Sequence, residues 1–353
     1  MVLNDRINAF AKLGEFLSQF KSTGYEKVNT YHADDSFFDE MIQKIESAKH
    51  YNGWFTKENV LFAVDEWSNA LTETNLKQWL SAYELSNMTP KTIGVIMAGN
   101  IPLVGFHDFL CVLISGHKIL IKQSTNDNQL LPFLASYLIA IEPRFKEYIS
   151  FTTEQFSDYD AIIATGSNNT SRYFEHYFGK VPHIIRKNRN SVAVLTGEET
   201  EEQLEALGKD IFTYYGLGCR NVSKIYVPED YNFDTLFNAL YGYHAIIDSQ
   251  KYANNYDYNK AVYLMSNYKL FDNGFLMMKE DPSYSSPIAT LFYQKYGSDE
   301  EISQILKEDN DKIQCIVGAN KTQKTVDFGQ TQSPGLGDYA DGVDIIEFLT
   351  KIN

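Results

Sequence analysis

Cysteine is scarce in this chain: Cys111, Cys219 and Cys315 are the only three in 353 residues, and they lie far apart. That leaves no disulfide framework and no zinc-binding spacing. Positive charge is short as well, with 31 Lys and Arg against 46 Asp and Glu, a formal net charge of −15. Such a balance argues against nonspecific binding to nucleic acid or to anionic membranes. Long apolar runs are missing. The greasiest stretch, residues 130–141, falls short of the about 20 residues that cross a bilayer. The opening Met1-Val-Leu-Asn lacks a signal-peptide apolar segment, so the expected location is the cytoplasm. There is no H-E-x-x-H, no Walker loop and no G-x-S-x-G elbow, and the histidines are scattered, so no metal site is expected. Gly335-Leu-Gly337-Asp-Tyr-Ala340 fits a dinucleotide fingerprint, but too little chain follows it for a βαβ unit.

What is present reads as an α/β protein. A composition of 44% hydrophobic and 22% charged residues suits a large packed core, and the length suits more than one lobe. Residues 1–90 are expected to be helical and to pack on the core. Ser36-Phe-Phe-Asp39 reads as a capping box, and Thr56 caps the run carrying Val60, Leu61, Val64 and Trp67. From Lys91 short apolar runs alternate with helical patterns. Strands are expected at 92–98, 117–122, 160–165, 192–195 and 224–227. The first is followed by a helix through Leu103 to Ile114, with Pro102 suited to its first turn. Strands alternating with helices predict parallel, doubly wound sheets, with ligands beyond the carboxyl ends of the strands. The expected lobes are 91–214 and 215–353.

The candidate chemistry starts at Cys219. Gly216 and Gly218 leave it little side-chain cover, whereas Cys111 and Cys315 sit in apolar runs where cysteine acts as a small buried hydrophobe. Asn100, Lys122, Gly166 and Ser167 fall at carboxyl ends of the predicted strands. Each also has a plainer reading: a helix cap for Asn100, a solvated lysine for Lys122, a capped turn for Gly166-Ser167. The acid-free run His183-Ile-Ile-Arg186-Lys-Asn-Arg189 reads either as a solvated basic turn or as a phosphate cradle for a nucleotide or coenzyme A.

In order along the chain, the strand end at Asn100, the strand end at Lys122, the Thr165-Gly-Ser167 turn and Gly-x-Gly-Cys219 resemble the aldehyde dehydrogenase superfamily. Within it, Gly99-Asn-Ile-Pro-Leu-Val-Gly-Phe-His-Asp-Phe109 and Gly216-Leu-Gly-Cys-Arg-Asn-Val-Ser-Lys224 resemble the LuxC-type acyl-CoA reductases. The resemblance implies two doubly wound α/β lobes and a catalytic thiol on Cys219. It implies an oxyanion held by the Asn100 side chain and the Cys219 N–H, and a cofactor, NADPH or alternatively NADH, at Lys122, Ser124, Gly166 and Ser167. The substrate implied is an acyl-CoA or other acyl thioester, probed through reduction to an aldehyde. Two departures stand out. Arg186 occupies the place of the glutamate that activates water in hydrolytic members, and Ser283 is the best match to a second glutamate. Without a general base, water attacks an acyl-enzyme poorly. The same thiol would serve a CoA-acylating aldehyde dehydrogenase or an acyl-phosphate reductase, and a thioester- or nucleotide-binding protein could keep the fold without the reaction. The sequence leaves open whether residues 1–90 line an acyl tunnel or carry a homodimer contact, and whether a partner protein delivers the acyl group.

Overall fold

The computed structural model describes residues 1–28, 34–86, 88–318 and 324–352. They divide into two compact units, Met1–Lys187 joined by Gly335–Asn353, and Asn188–Pro334. The first unit opens with α1 (Leu3–Leu17), a small hairpin of β1 (Phe20–Lys21) and β2 (Gly24–Tyr25), then α2 (Ser36–Tyr51), α3 (Lys57–Ala70) and α4 (Glu73–Leu80). Thr56 caps α3 as predicted, its hydroxyl accepting from the Asn59 N–H at 3.3 Å. The capping box expected at Ser36 does not form. Ser36 already lies inside α2, and its own N–H donates to Asp34 Oδ1 at 2.8 Å.

These helices belong to the core of the unit: Phe10, Leu13, Leu17, Val60 and Leu76 are all fully buried. Behind them run β3 (Thr92–Ile96), α5 (Phe106–Ile114), β4 (Lys118–Lys122), α6 (Leu130–Ile141), β5 (Ile149–Phe151), β6 (Ala161–Thr165), α7 (Asn168–Phe178) and β7 (His183–Arg186). The five strands are parallel in the order β5-β4-β3-β6-β7. The order reverses between β3 and β6, where a parallel sheet opens a crevice beyond its carboxyl ends.

The second unit holds β8 (Asn190–Val194), α8 (Glu201–Phe212), β9 (Val222–Pro228), α9 (Phe233–Leu240), α10 (Gln250–Met265), β10 (Leu270–Asp272), β11 (Met277–Glu280), β12 (Thr290–Tyr296), α11 (Asp299–Glu308), β13 (Ile313–Gly318) and β14 (Thr325–Val326). Its sheet runs β10-β11-β12-β9-β8-β13-β14, with β10 antiparallel at one edge. The chain then returns to the first unit through α12 (Ile345–Thr350), which buries Ile345, Ile346 and Leu349.

The division falls at Lys187–Asn188 rather than at 214, because β8 pairs with β9 and β13 and so joins the later sheet. The strands β5 and β7 and the helix α10 add to the elements read from the sequence. In α10 tyrosines recur on several sides, so no single apolar stripe announces the helix. Among the described residues no helix is long and apolar enough to cross a membrane.

Candidate active site

The carboxyl edge of the first sheet collects the residues singled out there. Ile96, the last residue of β3, pairs with Lys122 on one side and Ala164 on the other. The segment containing Asn100, the Lys122–Ser124 turn and Gly166-Ser167 therefore leave neighbouring strand ends. Asn100 is exposed. Lys122 is half-buried, and its Nζ donates to the Glu154 carbonyl at 3.2 Å. Gly99 packs on Ser124 so closely that a Cβ at Gly99 would lie 2.6 Å from Ser124 Cβ, so only glycine fits. Asn52 laces the two turns together, its amide donating to Gly99 O at 3.4 Å and Asn126 O at 3.3 Å. At Gly166 a Cβ would strike Phe174 at 2.9 Å and Thr170 at 3.0 Å. Ser167 caps α7, whose first turn carries no acidic residue. A glycine turn feeding the positive end of a helix suits the phosphates of a dinucleotide.

The helix expected from Leu103 starts only at Phe106. Leu103 has a left-handed backbone, φ 57°, and its N–H donates to Asp127 Oδ2 at 3.1 Å. Sequence reasoning missed Asp127 because its partner lies in another turn. Burial pushes the Asp127 carboxyl up to about 7, against the opposing pull of the Leu103 N–H. A raised carboxylate pKa stabilises the fold at low pH, and that stability is lost as pH rises through the folded value. Asp127→Asn keeps an oxygen for Leu103 without ionising. Its stability advantage over the parent should grow by ~3–4 kcal/mol between pH 4 and pH 8. Urea unfolding at both pH values checks this, and a pH-independent difference would refute it.

The acid-free run at 183–189 is not the open anion cradle that one reading made it. Arg186 ends β7 buried, its two terminal nitrogens each 2.7 Å from a carboxylate oxygen of Asp108 in α5, with Thr165 Oγ1 at 3.3 Å. Lys187 pairs with Glu175 at 3.0 Å, and the His183 ring bonds the Val181 carbonyl. Asp108 lies far back in the sequence, so no local pattern could reveal that the guanidinium was already matched. The Nε2 atoms of His107 and His117 meet Leu336 O at 3.0 Å and Leu349 O at 3.2 Å.

Cys219 belongs to the second unit and is exposed, while Cys111 and Cys315 are buried. It precedes β9, so the thiol lies at an amino end of that sheet rather than at a carboxyl end. Three successive left-handed residues, Tyr214 (φ 55°), Tyr215 (φ 58°) and Gly216 (φ 76°), turn the chain out of α8. The two tyrosines each cost ~1–2 kcal/mol in that conformation, which the surroundings must offset. Asn221, 1% exposed, does so: its Nδ2 donates to the carbonyls of Asp210, Ile211 and Thr213, and its Oδ1 accepts from the Gly218 N–H at 2.8 Å. Ser191 Oγ donates to Cys219 O and accepts from the Cys315 N–H, both at 3.1 Å. Arg220, which from its position next to the thiol could have acted on Cys219, sends Nη1 to Cys315 Sγ at 3.2 Å. Asn221 too was missed, although asparagine beside a glycine turn commonly bonds backbone.

A family model described as acyl-CoA reductase (LuxC) matches residues 9–251. No curated protein matches the sequence. Among solved structures, aldehyde dehydrogenase 21 from Physcomitrella patens, in complex with its reaction product succinate, aligns at TM-score 0.65 and 12% identity, covering 99% of this chain and 84% of that one. A NAD-dependent benzaldehyde dehydrogenase from Corynebacterium glutamicum aligns at 0.64 and 11%, covering 90% and 77%. A NAD-dependent aldehyde dehydrogenase from Sinorhizobium meliloti aligns at 0.63 and 12%, covering 94% and 72%. At such identities the likeness is one of fold, and that fold is the aldehyde dehydrogenase-like α/β architecture.

Proposed function

Because the chain belongs to the acyl-CoA reductase (LuxC) family, an oxidoreductase family, we propose that it reduces a long-chain acyl-CoA to the aldehyde through a thioester on Cys219. The observation that carries this reading is the exposed thiol in a loop fixed by buried polar side chains, beside two cysteines that are buried. The Cys219 thiolate attacks the acyl carbonyl, and the tetrahedral oxyanion is met by the Cys219 N–H and, following the family pattern, by the Asn100 carboxamide. Collapse breaks the bond to the coenzyme A sulfur, which leaves as thiolate, and the acyl group stays on Cys219. Lys122, Ser124, Gly166 and Ser167 are assigned to a nicotinamide dinucleotide, which their strand-end turns and the acid-free start of α7 suit. When bound, the reduced cofactor, NADPH or NADH, supplies a hydride for the acyl carbon. Cys219 would then depart as thiolate from the thiohemiacetal oxyanion, whose C–O⁻ closes to the aldehyde carbonyl.

Reduction rather than hydrolysis is favoured by Arg186. It stands where hydrolytic relatives of the superfamily place a general base, and its guanidinium is tied to Asp108.

The test is a single turnover. Purified protein mixed with radiolabelled palmitoyl-CoA, without nucleotide, should acquire label that NADPH or NADH then chases into aldehyde. Label that neither nucleotide chases, or no label from any acyl-CoA, would sink the reading. Coenzyme A-dependent oxidation of an aldehyde without the forward reaction would replace it with a CoA-acylating dehydrogenase. Within this scheme, Asn100→Ala should lower acylation by roughly 10²–10³, the usual loss of one oxyanion donor. A loss of less than a few-fold removes Asn100 from that role.

A further inference from the structure

We propose that Asn221 is a positioning residue that aims the backbone N–H of Cys219 at the developing oxyanion, with Ser191 holding the other side of the same residue. This rests on Cys219 being the nucleophile. The Gly218–Cys219 peptide is trans, so its C=O and N–H point in opposite directions. The Asn221 N–H donates to Gly218 O at 3.1 Å, which draws that carbonyl toward residue 221 and turns the Cys219 N–H away from it. The Asn221 side chain fixes the preceding peptide as well, accepting from the Gly218 N–H at 2.8 Å. Beyond Cys219, the fully buried Ser191 hydroxyl holds the Cys219 carbonyl at 3.1 Å. Peptide planes on both sides of the thiol-bearing Cα are thus set by buried polar atoms, leaving little rotation to either.

The anchor is itself held by buried hydrogen bonds. Asn221 Nδ2 grips carbonyls at the end of α8, which have no partners within the helix. One of them belongs to Asp210, whose fully buried carboxylate accepts from the Gly329 N–H at 2.7 Å and from Thr331 N–H and Oγ1 at 3.0 and 2.8 Å. The loop is therefore fastened to α8 and, through it, to residues 329–331. An N–H donor aimed before the reaction costs no reorganisation when charge develops, which is how oxyanion donors act.

Two chemistries at the same sulfur separate aiming from mere integrity of the loop. Acylation by palmitoyl-CoA passes through an oxyanion, whereas alkylation by iodoacetamide displaces iodide at a saturated carbon and forms none. In the full chain, Asn221→Ser should slow acylation of Cys219 by roughly 10²-fold while alkylation, read by mass spectrometry of the Cys219 peptide, changes less than about 3-fold. The Km for palmitoyl-CoA should stay within the same margin, since the lost contact acts only in the transition state. Ser191→Ala, which removes a single hydroxyl, keeps the test available if Asn221→Ser does not fold, and should show the same split at about 10-fold. Equal losses in both reactions, or no loss in acylation, would overturn the proposal. If Cys219→Ala still makes aldehyde, it is Cys219 as the nucleophile that fails, and that outcome is distinct from either.

Discussion

Cys219→Ala is expected to abolish covalent labelling by palmitoyl-CoA and to lower aldehyde formation by at least ~10⁴, the scale on which loss of a catalytic nucleophile is felt. Its fold should survive. Cys219 is exposed, and trimming an exposed side chain changes stability by no more than about 0.5 kcal/mol. The other cysteines supply the controls. Burial raises the Cys111 thiol well above its ordinary value, with Asp108 acting in the same direction, so it holds too little thiolate to react. Cys315 is buried in β13, with Arg220 Nη1 on its sulfur. Cys111→Ala and Cys315→Ala should therefore keep the label. Peptide mapping of the labelled protein decides the matter: label of undiminished stoichiometry in Cys219→Ala would remove the thiol from the mechanism.

The second large effect concerns stability. Asp108→Ala leaves the Arg186 guanidinium buried without its carboxylate, and such a deletion costs ~3–5 kcal/mol. Burial pulls the guanidinium toward losing its proton, and Asp108 more than reverses this, holding Arg186 above its ordinary value. Remove Asp108 and burial is opposed only by the weaker pull of Asp341 and Cys111. Urea unfolding should show the loss as a lower midpoint with an unchanged slope. The double variant Asp108→Leu with Arg186→Met should recover most of it, because two well-packed apolar side chains need no partner. A double variant whose loss equals the sum of the Asp108→Leu and Arg186→Met losses would mean the pair is not coupled. Because Asp108 lies in the first turn of α5, directly after the Asn100 segment, the single variant should also weaken acylation beyond its effect on folding.

Much of the architecture was legible in the chain. The strands β3, β4, β6, β8 and β9 appeared as short apolar runs between helical patterns, since two-sided burial in a parallel sheet demands them. Cys219 stood out because glycines flank it, and Asn100, Lys122 and Gly166-Ser167 stood at strand ends. Other elements escaped for physical reasons. The strand β7 was hidden by its cations, because Arg186 is buried only by virtue of Asp108. Helix α5 was expected too early: Pro102 suits a first turn, but the bond from Leu103 to Asp127 holds that residue left-handed and delays the helix to Phe106. The lobe boundary was misplaced for the same kind of reason, since strand partners rather than intervening helices decide which sheet β8 joins.

By itself, then, the sequence determined the alternation of strands and helices, the family and the exposed thiol, because these depend on residue type and spacing within a few turns of chain. The tertiary structure decided which polar groups are matched. Arg186 finds Asp108, Asp127 finds Leu103, Asn221 finds the end of α8, and Gly335–Asn353 rejoins the first unit. A buried charge or amide must be paired to be tolerated, and those partners are set by the path of the whole chain.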